Sequence, residues 1–284
     1  MFVIVGVIVV FAALIGGFVL AGGNIGTLLV IPEYIIIIGV ATGSLLIGNP
    51  LPVLKRILNG IIGSFKGQKT KPTDYIELLK MMYEVFQFAK REGLIALEQH
   101  VESPESSTIL TKYPSFLANK PAVEFFCDTL KVVLSGGIPA NDLEDLMDQD
   151  LETIEQEEEI PPSSMQTMAD SFPGLGIVAA VMGIIITMGA ISEGAESVGH
   201  HVASALVGTF LGVLLSYGIV GPLAAIMQKN TMKEGKYLQA IKAGLLAFAK
   251  GLPASVAIEF ARRSIDPENR PTFKETEEAV KQTR

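Results

Sequence analysis

The sequence predicts an all-α integral membrane protein. Four transmembrane helices are expected, with a large helical cytoplasmic domain between the second and third and a helical cytoplasmic tail. Three observations lead there. Hydrophobic residues make up 49% of the 284-residue chain, and a mean hydropathy of +0.43 is high for a soluble domain of this size. The apolar residues are concentrated: residues 1–32, 34–54, 171–192 and 202–228 contain no charged side chain. The basic residues are also unevenly placed among the segments between these stretches.

A membrane helix needs roughly 20 mainly apolar residues. The four charge-free stretches therefore read as spans at about 2–21, 34–51, 172–191 and 203–226. The first has neither the basic start nor the small-x-small cleavage site of a secretion signal. The linkers 22–33 and 192–202 hold no Lys or Arg. By contrast, 52–71 carries Lys55, Arg56, Lys66, Lys69 and Lys71 without an acid, and the tail from 228 has eleven Lys plus Arg against seven acids. Basic residues stay on the cytoplasmic side. Both termini and the large middle segment are thus expected in the cytoplasm. The organisation reads as a hairpin at 1–51, a cytoplasmic domain at 52–170, a second hairpin at 171–227 and a tail at 228–284.

The cytoplasmic part reads as helical. In 74–101, Ile76, Leu79, Tyr83 and Phe86 recur at helical spacing, too apolar a face for a free helix. FFCDTLKVVL at 125–134 is a second candidate. Its Cys127, the sole cysteine, reads as a small buried hydrophobe. Residues 141–159 put Leu143, Leu146, Met147, Leu151 and Ile154 on one side and ten acids elsewhere, a solvated helix face. Pro161–Pro162 is expected to stop that helix. Ser163 with Gln166 then reads as a capping box for the next one, which Pro173 interrupts.

Whole function classes drop out. There is no phosphate loop, no GxSxG and no HExxH, so an enzyme has little support. His200 and His201 find no further Cys or His for a metal, and no cofactor is implied. At net charge −8 no basic face invites nucleic acid.

The spans carry the useful signal. Ala180, Gly183 and Thr187 share one helix face, as do Thr209, Gly212 and Ser216. Gly208 and Gly212 have GxxxG spacing. Helix packing alone explains small residues, and a Thr hydroxyl can bond its own backbone. Yet both helices combine small with hydroxyl residues and carry a proline toward the cytoplasm, which suggests a close-packed lining. Charges inside a membrane are costly and mark ion paths. No such charge is expected in any span here, so a titrating group for ion movement would come from another chain.

The run ALVGTFLGVLLSYGIVGP at 205–222 resembles the signature of the MotA family of flagellar stator proteins, through to Pro222. FPGLGIVAAVMG at 172–183 resembles the family's third span. KREGLIALEQHVESP at 90–104 resembles its cytoplasmic motif. EFARRSI and RPTFKETEEAV, within 259–280, resemble its tail. The likeness covers essentially the whole chain. It implies a stator subunit of the bacterial inner membrane, assembled as a ring of five around two copies of a MotB-type single-span partner. That partner supplies the membrane aspartate and a peptidoglycan anchor. Thr209 matches the family's channel-facing Thr, and Tyr217, one turn before Pro222, is expected to face the partner. Pro173 and Pro222 match the prolines implicated in coupling ion passage to movement.

Torque in this family comes from charged residues that meet the rotor protein FliG. The matching positions are Lys90, Arg91 and Glu98. An unbroken helix would put Arg91 and Glu98 on one face; Gly93 is the residue that could spoil it. Sodium-driven members carry a Thr seven residues after the third-span proline, and here that position is Ala180. The resemblance therefore implies a proton-type lining. Two other readings stand beside it: an energiser of the ExbB and TolQ type, which typically has three spans, and a membrane scaffold without ion flux.

Overall fold

A computed structural model describes residues 2–66, 71–136, 138–189 and 194–281. Among them every regular element is helical. Four helical stretches are long and apolar enough to cross a membrane: Phe2–Leu20, Ile25–Gly48, and stretches within Ala140–Gly189 and Ala195–Ala249. The chain divides into two compact units, residues 1–68 with 158–230 and residues 69–157 with 231–284. Each is built around its own core.

In the first unit, α1 (Phe2–Leu20) buries no residue within this chain. A helix that is apolar all round and uncovered is one made for lipid or a neighbouring subunit. Gly22, at φ 86°, ends the turn after it. Asn24 Oδ1 accepts the Gly26 N–H at 2.9 Å and starts a short 3-10 turn, Ile25–Leu28. Pro32 in its first turn then opens α2 (Ile31–Gly48), as its fixed φ and missing N–H favour. This helix buries one narrow stripe, Glu33, Ile37 and Ala41, each four residues after the last. Ile37 and Ala41 pack with Phe172, Ala179 and Leu211.

The amphipathic α3 (Leu51–Lys66) follows. Val53 and Ile57 pack on Met165, Ala224 and Met227, while Leu51, Leu58, Ile62 and Phe65 stay exposed on another face.

The expected break at Pro161–Pro162 does not occur. One helix, α8 (Ala140–Gly189), runs for 50 residues through Pro161, Pro162 and Pro173. The Ser163–Gln166 capping box does not form either; Gln166 donates to Asp170 Oδ1 at 2.8 Å. An interior proline costs about 3 kcal/mol through its lost N–H and its clash with the preceding turn. Tertiary contacts offset that here. Both Pro161 and Pro162 are buried. Around them, Glu158 pairs with Arg56 at 3.3 Å, Glu159 accepts from Gln228 at 2.9 Å, and Ser164 donates to Asn49 Oδ1 at 2.7 Å.

The last span is not uniform. Helix α9 (Ala195–Val213) passes into a π-helical segment, Leu214–Val220, and then into α10 (Gly221–Ala249) with Pro222 in its first turn. In a regular helix the Pro222 ring would press on the carbonyl of Gly218. Winding by one extra residue moves that carbonyl aside. The cost is closeness elsewhere: the Gly221 N–H bonds the Ser216 carbonyl, and a Cβ on Gly221 would sit 2.8 Å from that oxygen.

The second unit is a helical domain. Its core joins Tyr75, Leu78, Met82 and Phe86 of α4 (Pro72–Glu92) to Tyr237, Ile241 and Leu245 of α10. Ala257 and Ile258 of α11 (Ala254–Ser264) and Phe126 of α7 (Lys120–Ser135) complete it. Phe86 stacks on Phe248 at 4.3 Å, and Phe116 meets Phe126 edge-on at 5.6 Å. Glu77 Oε1 accepts the N–H groups of Ser115 and Phe116 at 2.7 and 3.2 Å, which caps α6 (Pro114–Ala118). Cys127 is a buried free thiol, as expected. Of the acidic segment's apolar residues, Leu143 and Met147 are buried and Leu151 and Ile154 pack against the core, but Leu146 faces outward. In α11, Glu259 bonds Arg262 and Arg263, both at 2.7 Å, and its carboxyl is held down at about 2 by those guanidinium groups.

A test of the membrane packing follows from the glycines. A methyl at Gly212 would overlap the Phe172 carbonyl oxygen, whereas one at Gly174 meets nothing within 4 Å. Overpacking of this kind costs about 1–3 kcal/mol. Gly212→Ala should therefore lower the thermal midpoint of the purified chain in detergent, followed by helical circular dichroism, while Gly174→Ala leaves it in place. Equal midpoints for the two variants would show that this contact is not tight.

Candidate functional site in the third and fourth spans

The third and fourth spans meet backbone to backbone. A Cβ on Gly176 would lie 2.7 Å from the Gly208 carbonyl oxygen and 3.2 Å from the Cα atoms of Gly212 and Thr209. A Cβ on Gly212 would lie 3.0 Å from the Gly176 Cα. Further along, one on Gly183 would meet the Ala205 Cβ at 2.8 Å. The glycines of both sequence stripes are thus spent on contact between the two helices. Small residues permit this approach, and in lipid it is the approach itself that holds helices together.

The remaining stripe residues divide by environment. Ala180 and Thr209 lie beside this crossing and are half-buried in the chain. Thr187 is buried, and its Oγ1 donates to the Gly183 carbonyl at 2.8 Å within its own helix. Ser216 is buried in the π segment. Tyr217 beside it is 73% exposed. Pro222 is exposed and Pro173 half-buried. The structure therefore brings Ala180 and Thr209 to one region, and sets Tyr217 and Pro222 further along the last span.

The expectation that no span carries an ionisable group counted the second span from residue 34, but the helix begins before it. Glu33 lies in the first turn of α2, inside the 24-residue apolar stretch Ile25–Gly48. It is 4% exposed, and its Oε2 is buried with no hydrogen-bond partner among the described residues. The charge-free run 34–54 begins one position after it. Pro32 was the available signal, since proline favours the first turn of a helix.

The expected rotor-facing residues belong to the other unit. Lys90 and Arg91 are exposed in the last turn of α4. Gly93, at φ 89°, ends that helix, and the chain makes a 3-10 turn, Leu94–Leu97, before the exposed Glu98 opens α5 (Glu98–Glu102). No unbroken helix joins Arg91 to Glu98. Between them Ile95 stands 81% exposed.

No group of three or more His, Cys, Asp or Glu suited to a metal occurs among the described residues. His201 is half-buried, and the side chain of His200 and all of Glu193 lie outside those described.

Comparison with known proteins covers nearly the whole chain. The family model "Motility protein A N-terminal" matches residues 4–93, and that of the "MotA/TolQ/ExbB proton channel family" matches 117–240. Motility protein A of Escherichia coli is 35% identical over 281 residues, covering 99% of this chain and 95% of the relative. Chemotaxis protein LafT of Vibrio parahaemolyticus is 36% identical over 272 residues, covering 96% and 95%. Among solved structures, the flagellar MotAB stator complex from Bacillus subtilis matches with a TM-score of 0.70 at 25% identity, over 90% of this chain and 92% of that one. MotAB of C. jejuni matches in fold, with a TM-score of 0.76 at 19% identity over 95% and 98%. With apolar helices of membrane-spanning length, backbone-close third and fourth spans, and relatives alike from end to end, the chain belongs to the motility protein A family, within the MotA/TolQ/ExbB proton channel family.

Proposed function

We propose that this chain is the multi-span subunit of a flagellar stator, which conducts protons with a MotB-type partner and converts their flow into torque. The observation that carries this reading is the end-to-end likeness to motility protein A at 35% identity. A related energiser of the ExbB and TolQ type would not be expected to share the N-terminal motility domain at residues 4–93.

The parts take these roles. A ring of five such chains surrounds two partner spans, each of which brings one aspartate. Ala180 and Thr209 line the place where that carboxylate sits, with Tyr217 beside the partner. Thr187 is the weakest member of the lining, because its hydroxyl is engaged by its own helix. The absence of a side-chain oxygen at Ala180 favours a proton over sodium, which needs several oxygen ligands. Pro173 and Pro222 are the flexing points. At Pro222 the π segment supplies a helix already wound off its regular pattern. Both termini and the helical unit lie in the cytoplasm, where Lys90, Arg91 and Glu98 meet charges on FliG. Their exposure suits a moving contact that depends on sign.

Three measurements test this. The complex purified with its partner should carry protons into liposomes, and the partner's aspartate changed to asparagine should abolish the flux; a wild-type complex that leaves internal pH unchanged would sink the proposal. Swimming speed of cells relying on this stator should be the same in sodium-free medium while the proton gradient is intact. Arrest on sodium removal, reversed on adding it back, would show that Ala180 does not report the ion. Exposed charges contribute only about 0–1 kcal/mol each to stability, so Glu98→Lys should leave the complex assembled yet impair swimming. An opposing reversal on the rotor should partly restore it. Normal swimming of Glu98→Lys, Lys90→Glu and Arg91→Glu, alone and combined, would place the rotor contact elsewhere.

A further inference from the structure

The turn between Arg91 and Glu98 is tied to the core of the helical unit at both ends. Ala89, in the last turn of α4, is buried, and so are Leu97 and Val101 on the far side. Phe88 meets His100 edge-on at 5.1 Å, and His100 Nδ1 lies 2.9 Å from Ser107 Oγ. Gly93, with its positive φ, turns the chain out of α4 and into this held stretch. The tip of the turn, by contrast, is apolar and uncovered. Leu94 is exposed, and Ile95 is the most exposed large apolar residue of this unit among those described.

The fold gains nothing from an isoleucine standing in water. Asn, Asp or Ser would suit such a turn. Single apolar side chains scattered on a surface need no explanation. Here two adjoin on a held tip, and exposed charges frame them: Lys90, Arg91 and Glu92 on one side, Glu98 on the other. None of these four forms an ion pair among the described residues. An apolar centre inside a polar rim is the anatomy of a binding patch. The centre carries most of the energy, while the rim excludes water and sets orientation. A tip held at both ends also loses little freedom when it docks.

The framing charges say what covers it. A basic pair on one side and an acid on the other fit a partner with the opposite order of charge and an apolar notch between. The rotor is the partner to which these charges are assigned above. We infer that Ile95, supported by Leu94, is the apolar anchor of the rotor contact and enters a notch on FliG between the groups that meet Lys90, Arg91 and Glu98. The charges then set approach and sign, and are screened by salt. The anchor is not screened, and sets how firmly the stator grips. One aliphatic side chain is a small anchor, which suits a contact that must release at every step. The inference rests on the rotor contact proposed above.

The experiment compares variants in cells relying on this stator, with swimming speed measured in viscous medium. Two controls accompany it: the amount of assembled complex in the membrane, and proton flux of the purified complex with its partner in liposomes. Ile95→Ser should assemble and conduct as the wild type does, because the side chain packs on nothing in this chain, yet swim at about half speed or less. Ile95→Val keeps the apolar surface and should swim close to the wild type. Ile95→Thr has the shape of valine but carries a hydroxyl, and should be slow. Normal swimming of Ile95→Ser, beside impaired Glu98→Lys, overturns the inference and leaves the rotor contact in place. Normal swimming of the charge reversals removes the rotor contact and this inference with it. Equal speeds for Ile95→Val and Ile95→Thr would show that apolarity is not what counts, and overturn it. Loss of assembled complex in Ile95→Ser and Ile95→Thr alike would show the residue covered within the assembly, which overturns it too.

Discussion

The membrane unit depends on how closely α8 and α9 approach at Gly176, Gly208 and Gly212. In lipid an apolar side chain gains little by leaving its surroundings for another helix, because the lipid is equally apolar. What remains is van der Waals contact, and contact is greatest where no Cβ intervenes. With Gly176 against the Gly208 carbonyl and Gly212 against Phe172, backbones touch. That contact fixes the rotation of both helices. It consumes the glycines, leaves Ala180 and Thr209 on the flank, and opens the recess that holds Glu33. Adding a single methyl would alter all three together.

A second constraint comes from proline. Helix α8 keeps three prolines within 50 residues, and the last span keeps one next to a π-helical stretch. The two solutions differ physically. At Pro161 and Pro162 the helix is regular, and neighbouring side chains brace it: Arg56 on Glu158, Gln228 on Glu159, Asn49 on Ser164. At Pro222 the backbone itself gives way by unwinding into a wider turn, with Gly221 admitting the Ser216 carbonyl at close range. A braced proline holds a rod straight. The wider turn places a different hydrogen-bond register next to the regular one.

The helical unit needs no such device. Its aromatic core, from Tyr75 through Phe86 and Phe126 to Tyr237, is packed by ordinary hydrophobic burial. Its use of glycine is local: Gly93 takes a φ of 89° that other residues rarely adopt, and so ends α4 one residue after the basic pair. Lys90 and Arg91 are presented from one helix end and Glu98 from the start of the next helix, rather than from one helical face.

The sequence by itself determined the all-helical class, the presence of four membrane-length stretches and the family. Charge-free runs of this length have few alternatives, and the 205–222 pattern is long. It also placed Thr209, Ala180 and the prolines in the third and fourth spans, since those follow from counting along the chain. Three things only the tertiary structure decided. Pro161–Pro162 reads as a stop because proline lacks an N–H, but packing around Ile160–Ser164 outweighs a local cost of a few kcal/mol. The stripe glycines read equally as lining or as packing, because periodicity gives a face but not what the face meets. Glu33 reads as a linker acid one residue outside a span; only the recess formed by Gly183, Ala205 and Gly208, contributed from some 150 residues or more along the chain, makes it a buried carboxyl group.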